Sequence, residues 1–170
     1  ALPRPGDAID LRVTMTIPDG TSNGFLVDVV DSSFVTFDEA SNATLSMTLT
    51  TQTINATTYY CMINAATFTN NICFTNDPRD AANLTIVGGN LRVNFGLVIN
   101  GYAGSTDQTA VFDVLTGVID AAATTGAKTV RADYYWTNPN GAGTLSVSSS
   151  TASVTVNTPK LTVTLCATTA

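Results

Sequence analysis

The chain contains no histidine and only one glutamate, Glu39, and these two shortages exclude several kinds of active site. Histidine is the usual general base, metal ligand and pH switch near neutrality, so Ser-His-Asp and Cys-His catalysis cannot be assembled. A carboxylate pair for glycoside hydrolysis would have to consist of aspartates. We therefore expect that the chain is not an enzyme, and that it has no catalytic residue, metal site or cofactor.

Charged residues are also scarce, at 12% of the 170 residues, where about a quarter is usual. The net charge is −6 and no cluster of basic residues is present, so we expect no nucleic-acid partner. No apolar run approaches the ~20 residues that a transmembrane helix requires, and we expect no membrane span.

Threonine takes the place of the missing charge, with 30 residues in the chain. A β-branched side chain with a hydroxyl suits the solvated face of a sheet better than the surface of a helix. The sequence therefore predicts an all-β, Greek-key/Ig-like β-sandwich of about ten short strands separated by turns. Besides residues 8–17, the predicted strands cover residues 24–30, 33–37, 44–54, 57–63, 72–75, 84–87, 91–99, 129–136, 143–148, 152–156 and 160–166.

The segment "LRVNFGLVI" is the strongest candidate for an inner strand because its apolar residues alternate. Alternation at period two predicts one buried face. The residues expected on that face are Leu91, Val93, Phe95, Leu97 and Ile99.

One segment departs from this pattern and predicts a short helix near residues 107–123. Val111, Val114, Leu115 and Val118 recur there at helical spacing. Gly117 and a high β-branched content oppose a helix, so a strand is the alternative.

Two of the three cysteines, Cys61 and Cys73, flank a stretch rich in Asn, Ala and Thr. If residues 59–63 and 72–75 pair as a hairpin, the two thiols come within reach of a disulfide. A disulfide indicates an oxidising, extracellular compartment, and the alternative is two buried free thiols. Cys166 is left over. We expect it to be a buried thiol, and the alternatives are a disulfide with one of the other two cysteines or with another molecule.

Asn42, Asn55 and Asn83 each begin an Asn-X-Thr sequon and are candidates for glycosylation. In a chain rich in Asn and Thr such sequons also arise by chance. They support secretion weakly.

Acidic residues gather at Asp28, Asp31, Asp38 and Glu39. They lack the glycine placement of a calcium loop, so we interpret them as solvated turn charges. Residues 77–80 are expected to form a turn with a local ion pair.

The aromatic residues suggest a second kind of function, a carbohydrate-binding or adhesin module. Tyr59, Tyr60, Tyr134, Tyr135 and Trp136 could stack on sugar rings. Neighbours in a strand point to opposite faces, however, so half of each cluster is expected in the core.

Five apolar residues alternate without a break at the amino end of the chain, behind the segment "ALPRPGD". They are Ile9, Leu11, Val13, Met15 and Ile17. This pattern resembles the donor strand of extracellular filament subunits, the bacterial chaperone-assembled pilins and some archaeal surface filaments. The resemblance covers this strand and the charge-poor, Thr-rich composition.

Residues 1–7 contain two prolines and a glycine, which pair poorly in a sheet, so we expect an extended arm there. The resemblance implies that residues 1–17 combine this arm with a donor strand and that residues 18–170 form the sandwich. Each copy would donate its strand to the next in a homopolymer, a cell-surface appendage. The alternative is that the strand pairs within its own domain. We therefore expect an extracellular, structural filament subunit whose partners are copies of itself, with glycans as further partners, and the binding module remains the rival function.

Overall fold

The computed structural model of the chain describes residues 4–17, 20–31, 35–36, 45–62, 72–101, 108–119, 126–138, 142–148 and 152–156. These residues form thirteen β-strands and one short 3₁₀ helix, Ala81–Asn83. The all-β class is confirmed. The strands are β1 (Ala8–Ile17), β2 (Gly20–Asp31), β3 (Val35–Thr36), β4 (Leu45–Ser46), β5 (Thr50–Ile54), β6 (Thr57–Met62), β7 (Ile72–Phe74), β8 (Leu84–Val87), β9 (Asn90–Asn100), β10 (Gln108–Ile119), β11 (Gly126–Thr137), β12 (Thr144–Ser148) and β13 (Ala152–Val156).

The strands form two antiparallel sheets. The small sheet has the order β1-β10-β3, and β4 also pairs with β10. The large sheet has the order β12-β11-β2-β9-β7-β6-β5, with β13 paired to β11 and β8 paired to β9. The strand predicted over residues 160–166, which includes Cys166, lies outside the described residues.

One apolar core joins the two sheets into a sandwich. Phe95 of β9 lies at its centre, where its ring centroid is 5.8 Å from that of Phe112 on β10 of the small sheet. Within the large sheet the Phe95 ring is 4.8 Å from Phe74 and 6.1 Å from Phe25. All four rings are buried. Because the rings come from both sheets, the core depends on both sheets being complete.

The buried face of β9 changes parity along the strand. Leu91, Val93 and Phe95 are buried as predicted, but Val98 follows them into the core, and Leu97 and Ile99 are only half-buried. The prediction was wrong for these last two because Gly96 forms a β-bulge, with φ of 69° and a register shift opposite Phe25.

Glycine is required at this bulge. A Cβ at position 96 would collide with the Thr75 hydroxyl, whose oxygen accepts a hydrogen bond from the Leu97 amide at 2.9 Å. The φ angle also lies in a region that other residues rarely adopt.

The helix predicted near residues 107–123 is wrong over its described part, because residues 108–119 form β10. Ala110, Phe112 and Val114 alternate on the core side, and each is no more than 1% exposed. A period-two pattern was therefore present beside the helical one. Pairing with β1 on one side and with β3 and β4 on the other provides the ladder hydrogen bonds that β-branched residues favour.

The segment before β1 was predicted to be extended, but residues 4–7 form a turn. The Asp7 amide donates to the Arg4 carbonyl at 3.0 Å, and the Arg4 amide donates to Asp7 Oδ2 at 2.7 Å. Pro5 fixes φ at the first central position and Gly6, with φ of 88°, occupies the second. This sequence is typical of a type II turn.

Candidate subunit interface

The candidate donor strand β1 runs antiparallel along β10 of its own chain. The register extends from Ala8 opposite Val118 to Ile17 opposite Gln108, with one irregularity between Ile9 and Leu11. Among the described strands β10 is the only partner of β1, so β1 is an edge strand. The term β1 groove is used below for the edge of β10 together with the core surface that β1 covers.

The inward face of β1 is more deeply buried towards its carboxyl end. Leu11 and Val13 are half-buried against the core, whereas Met15 and Ile17 are 3% and 2% exposed. Arg12, Thr14 and Thr16 alternate with them on the exposed side. The predicted alternation is therefore confirmed over residues 11–17, and Ile9 is placed by its backbone register only. Met15 and Ile17 insert most deeply into the β1 groove.

An ion pair fixes the register on the outer face. Arg12 Nε donates to Asp113 Oδ1 at 2.7 Å and Arg12 Nη2 donates to Asp113 Oδ2 at 2.9 Å, and the two residues are direct register partners. The side-chain hydrogen bond from Arg12 lowers the pKa of the Asp113 carboxyl, and the same contact raises the pKa of Arg12. A slip of β1 by one residue would break this bidentate contact and turn Met15 outward.

The Asp113→Asn variant is expected to be slightly less stable than the wild type at neutral pH, and the difference should disappear in acid. A carboxyl whose pKa is lowered by folding contributes stability above its unfolded pKa, and this is lost as the pH falls through the folded pKa. Denaturant unfolding from pH 7 to pH 2 measures the difference. Asp10→Asn, exposed on β1 two residues before Arg12 and outside the pair, is the control. A pH-independent difference would contradict the assignment.

The carboxyl end of β1 is tied to the large sheet by Asn100, a residue that sequence reasoning did not identify. Its Nδ2 donates to the Ile17 carbonyl at 2.7 Å, and Asn100 is 2% exposed at the end of β9. The same residue is the register partner of Gly20, the first residue of β2. Asn100 therefore lies at the corner where β1 leaves the small sheet and β2 begins in the large one.

The predicted disulfide is confirmed between Cys61 of β6 and Cys73 of β7. The two residues are register partners in the predicted hairpin, with their Cα atoms 4.0 Å apart. Cys61 is fully buried. Closing so short a loop stabilises a fold by about 3 kcal/mol in the loop-entropy model. The bridge lies within the large sheet.

The three sequons differ in their surroundings. Asn55 is exposed at the tip of the β5–β6 hairpin. Asn83 is half-buried, and its Nδ2 donates to the Asp77 carbonyl at 2.9 Å. Asn42 lies outside the described residues. Asn55 is therefore the more accessible acceptor of the two that the structure describes.

The aromatic residues of β11 point to opposite faces, as predicted. The Tyr134 ring stacks on Phe25 at 5.5 Å and on Trp136 at 5.4 Å, and both Tyr134 and Trp136 pack against the core. Tyr135 faces the other side, where burial, followed by the charges of Asp133 and Asp28, raises its pKa. These three residues do not form one flat aromatic platform.

The interpretation of Asp28 as a solvated turn charge is wrong. Asp28 lies within β2 and is 5% exposed. Arg92 Nε and Nη2 donate to its two carboxylate oxygens at 2.6 and 2.7 Å. Asp133 is its register partner on β11, is also 5% exposed, and accepts hydrogen bonds from Arg131. The Asp28–Arg92 pair joins β2 to β9, whereas the Arg131–Asp133 pair lies within β11.

The predicted ion pair in the turn near residue 77 is confirmed. Arg79 Nε and Nη2 donate to the Asp77 carboxylate at 2.9 and 2.8 Å, which lowers the pKa of Asp77. Within the described ranges, no group of three or more His, Cys, Asp or Glu side chains could hold a metal ion. The described part of the chain also contains no helix with the length and hydrophobicity to cross a membrane.

Comparison of the chain with protein families, with curated proteins and with solved structures finds no match.

Proposed function

We propose that this chain is a structural subunit of an extracellular filament, in which each copy donates β1 to the β1 groove of the next copy. The observation that carries the proposal is the position of β1. It lies at a sheet edge, and its inward residues complete the core. A strand of this kind can be supplied by another copy without rearranging the remaining strands.

The closed and the exchanged arrangements contain the same contacts between β1 and β10. Their free energies therefore differ only through the connection between β1 and β2 and through the cost of association. That connection consists of Pro18 and Asp19 alone, because β1 ends at Ile17 and β2 begins at Gly20. Short connections favour exchange because they have little slack to fold back.

Strand addition provides both main-chain and apolar contacts for a filament. Main-chain hydrogen bonds along β10 set the direction and register of the incoming strand, while alternate side chains fill the core. Burial of Met15 and Ile17 contributes about 1.5–3 kcal/mol each, before the cost of association. Leu11 and Val13 add partial burial.

Two features support an extracellular location. The Cys61–Cys73 disulfide is typical of an oxidising compartment. The exposed sequon at Asn55 offers an attachment point for a glycan on a hairpin tip remote in sequence from β1.

The geometry favours the rival function, a carbohydrate-binding or adhesin module, less. A sugar platform needs aromatic faces that are free to stack on a ring. Tyr134 instead stacks on Phe25, and Trp136 packs against Tyr134 and the core.

Negative-stain electron microscopy of the purified chain, concentrated at neutral pH, tests the proposal. Unbranched filaments of constant width are expected. Particles of monomer size at every concentration, confirmed by sedimentation, would contradict it. A tryptophan fluorescence change on titration with oligosaccharides, in material that forms no filaments, would favour the rival.

A further inference from the structure

The second candidate contact between copies is the outer edge of β5, the last strand of the large sheet. β5 pairs with β6 on one side, and no described strand pairs with its other side. Thr50, Thr51, Thr53 and Ile54 are exposed, Ile54 at 48%. An edge strand of this kind presents main-chain donors and acceptors that a further strand can bind.

The hairpin geometry shows which residues direct their main chain outward. The β5–β6 turn consists of Asn55 and Ala56, with φ angles of 50° and 63°, as in a type I′ turn. In such a hairpin the flanking pair, Ile54 and Thr57, exchanges both hydrogen bonds, and the pattern alternates along the strand. The N–H and C=O groups of Thr51 and Thr53 therefore point to the free edge.

This edge lacks the protection that most edge strands carry. Native sheets guard exposed edges with lysine, proline, bulges or inward-pointing charges. The β5 sequence, TTQTI, has no charged residue and no proline, and its register with β6 is uninterrupted. In the whole chain, residues 40–76 contain no Asp, Glu, Lys or Arg.

The charge distribution indicates which partner fits this edge. Two copies that each carry a net charge of −6 repel one another wherever their acidic residues meet. The region around β5 is the longest stretch of the sequence where no such charges exist. An identical strand is also a suitable partner, because opposed threonines form favourable cross-strand pairs.

We propose that β5 is a contact between two copies of this chain, in which the two β5 strands pair antiparallel about a twofold axis at Gln52. Thr51 of each copy then faces Thr53 of the other, and the outward N–H and C=O groups of both satisfy one another. In this register every one of the five residues of β5 faces a residue of the other copy's β5. The surface is distinct from the β1 groove, so the contact would join filaments, or free subunits, side by side.

The contact is short and therefore weak for a single pair of copies. Repetition along two filaments would multiply it, since each further contact forms at high effective concentration. The inference does not require strand donation: free subunits at high concentration would form the same pair. An experiment that disproves the β5 contact therefore leaves the filament proposal standing, and the reverse also holds.

Disulfide trapping tests the contact in the full chain with Cys166→Ser as background. Residues on the twofold axis form a non-hydrogen-bonded pair with Cα atoms about 4.5 Å apart, within disulfide range. Gln52→Cys is expected to give a covalent dimer on oxidation with copper phenanthroline. Thr85→Cys, exposed on β8, is the matched control and should remain monomeric.

The triple variant Thr51→Lys/Gln52→Cys/Thr53→Lys places a lysine opposite a lysine on each side of the twofold axis and should reduce the dimer yield at least tenfold. Absence of a dimer from Gln52→Cys would overturn the proposal. Equal dimer yields from Gln52→Cys and Thr85→Cys, or a yield unaffected by the lysines, would also overturn it.

Discussion

Deletion of residues 1–17 is expected to prevent the chain from folding into a stable monomer. The small sheet would retain β10 with only the two-residue strands β3 and β4 on its far side. The edge of β10 would lose its ladder partner, and Phe112 and Val114 would be exposed to water. Circular dichroism melting and size-exclusion chromatography should show loss of the cooperative transition and aggregation.

A synthetic peptide of residues 8–17, added during refolding, is expected to restore the transition. The peptide supplies the same backbone register and the same Met15 and Ile17 side chains from outside the chain. A matched peptide with Met15→Asp should fail, because it would bury a charge in the β1 groove. A truncated chain that stays monomeric with an unchanged melting temperature would contradict this prediction.

The Met15→Ala variant is expected to lower the free energy of unfolding by about 2–5 kcal/mol, the usual cost of truncating a buried large side chain. Met15 is 3% exposed and lies in the common core, so its loss leaves a cavity between the sheets. Denaturant unfolding measures the change.

Thr14→Ala, the exposed neighbour on the same strand, is the control and should change stability by no more than about 0.5 kcal/mol. In filament-forming material, Met15→Ala should also raise the concentration needed for assembly. Equal effects of the two variants would show that β1 does not insert its inward face into the core.

Features that depend on neighbouring residues in the sequence were predictable. The β6–β7 hairpin and its disulfide follow from two short apolar segments with cysteines at matching positions. The inward face of β1 follows from strict alternation, because alternate residues of a strand lie on the same face whichever strand it pairs with. The ion pair between Asp77 and Arg79 is equally local.

Features that depend on distant partners were not predictable. The bulge at Gly96 accommodates Thr75 and Asn76 on another segment, and no pattern within β9 signals it. The burial of Asp28 depends on Arg92, 64 residues away, and on the register between β2 and β9. The apolar residues of β10 fit both a helical spacing and the alternation of a strand. Pairing with β1, which is distant in sequence, makes this segment a strand.

The direct test of strand donation determines whether a paired β1 and β10 belong to the same copy of the chain or to two different copies. Thr16 of β1 and Thr109 of β10 are register partners, and both are exposed. Opposed Cα atoms in an antiparallel pair are about 4.5–5.5 Å apart, so cysteines at these positions can form a disulfide. The Thr16→Cys/Thr109→Cys variant, with Cys166→Ser, should be oxidised after assembly and run on a non-reducing denaturing gel.

Strand donation predicts a ladder of covalent dimers, trimers and longer multimers that collapses to monomer on reduction, whereas Thr16→Cys alone should give no ladder. An internally bridged monomer as the sole product would contradict the account.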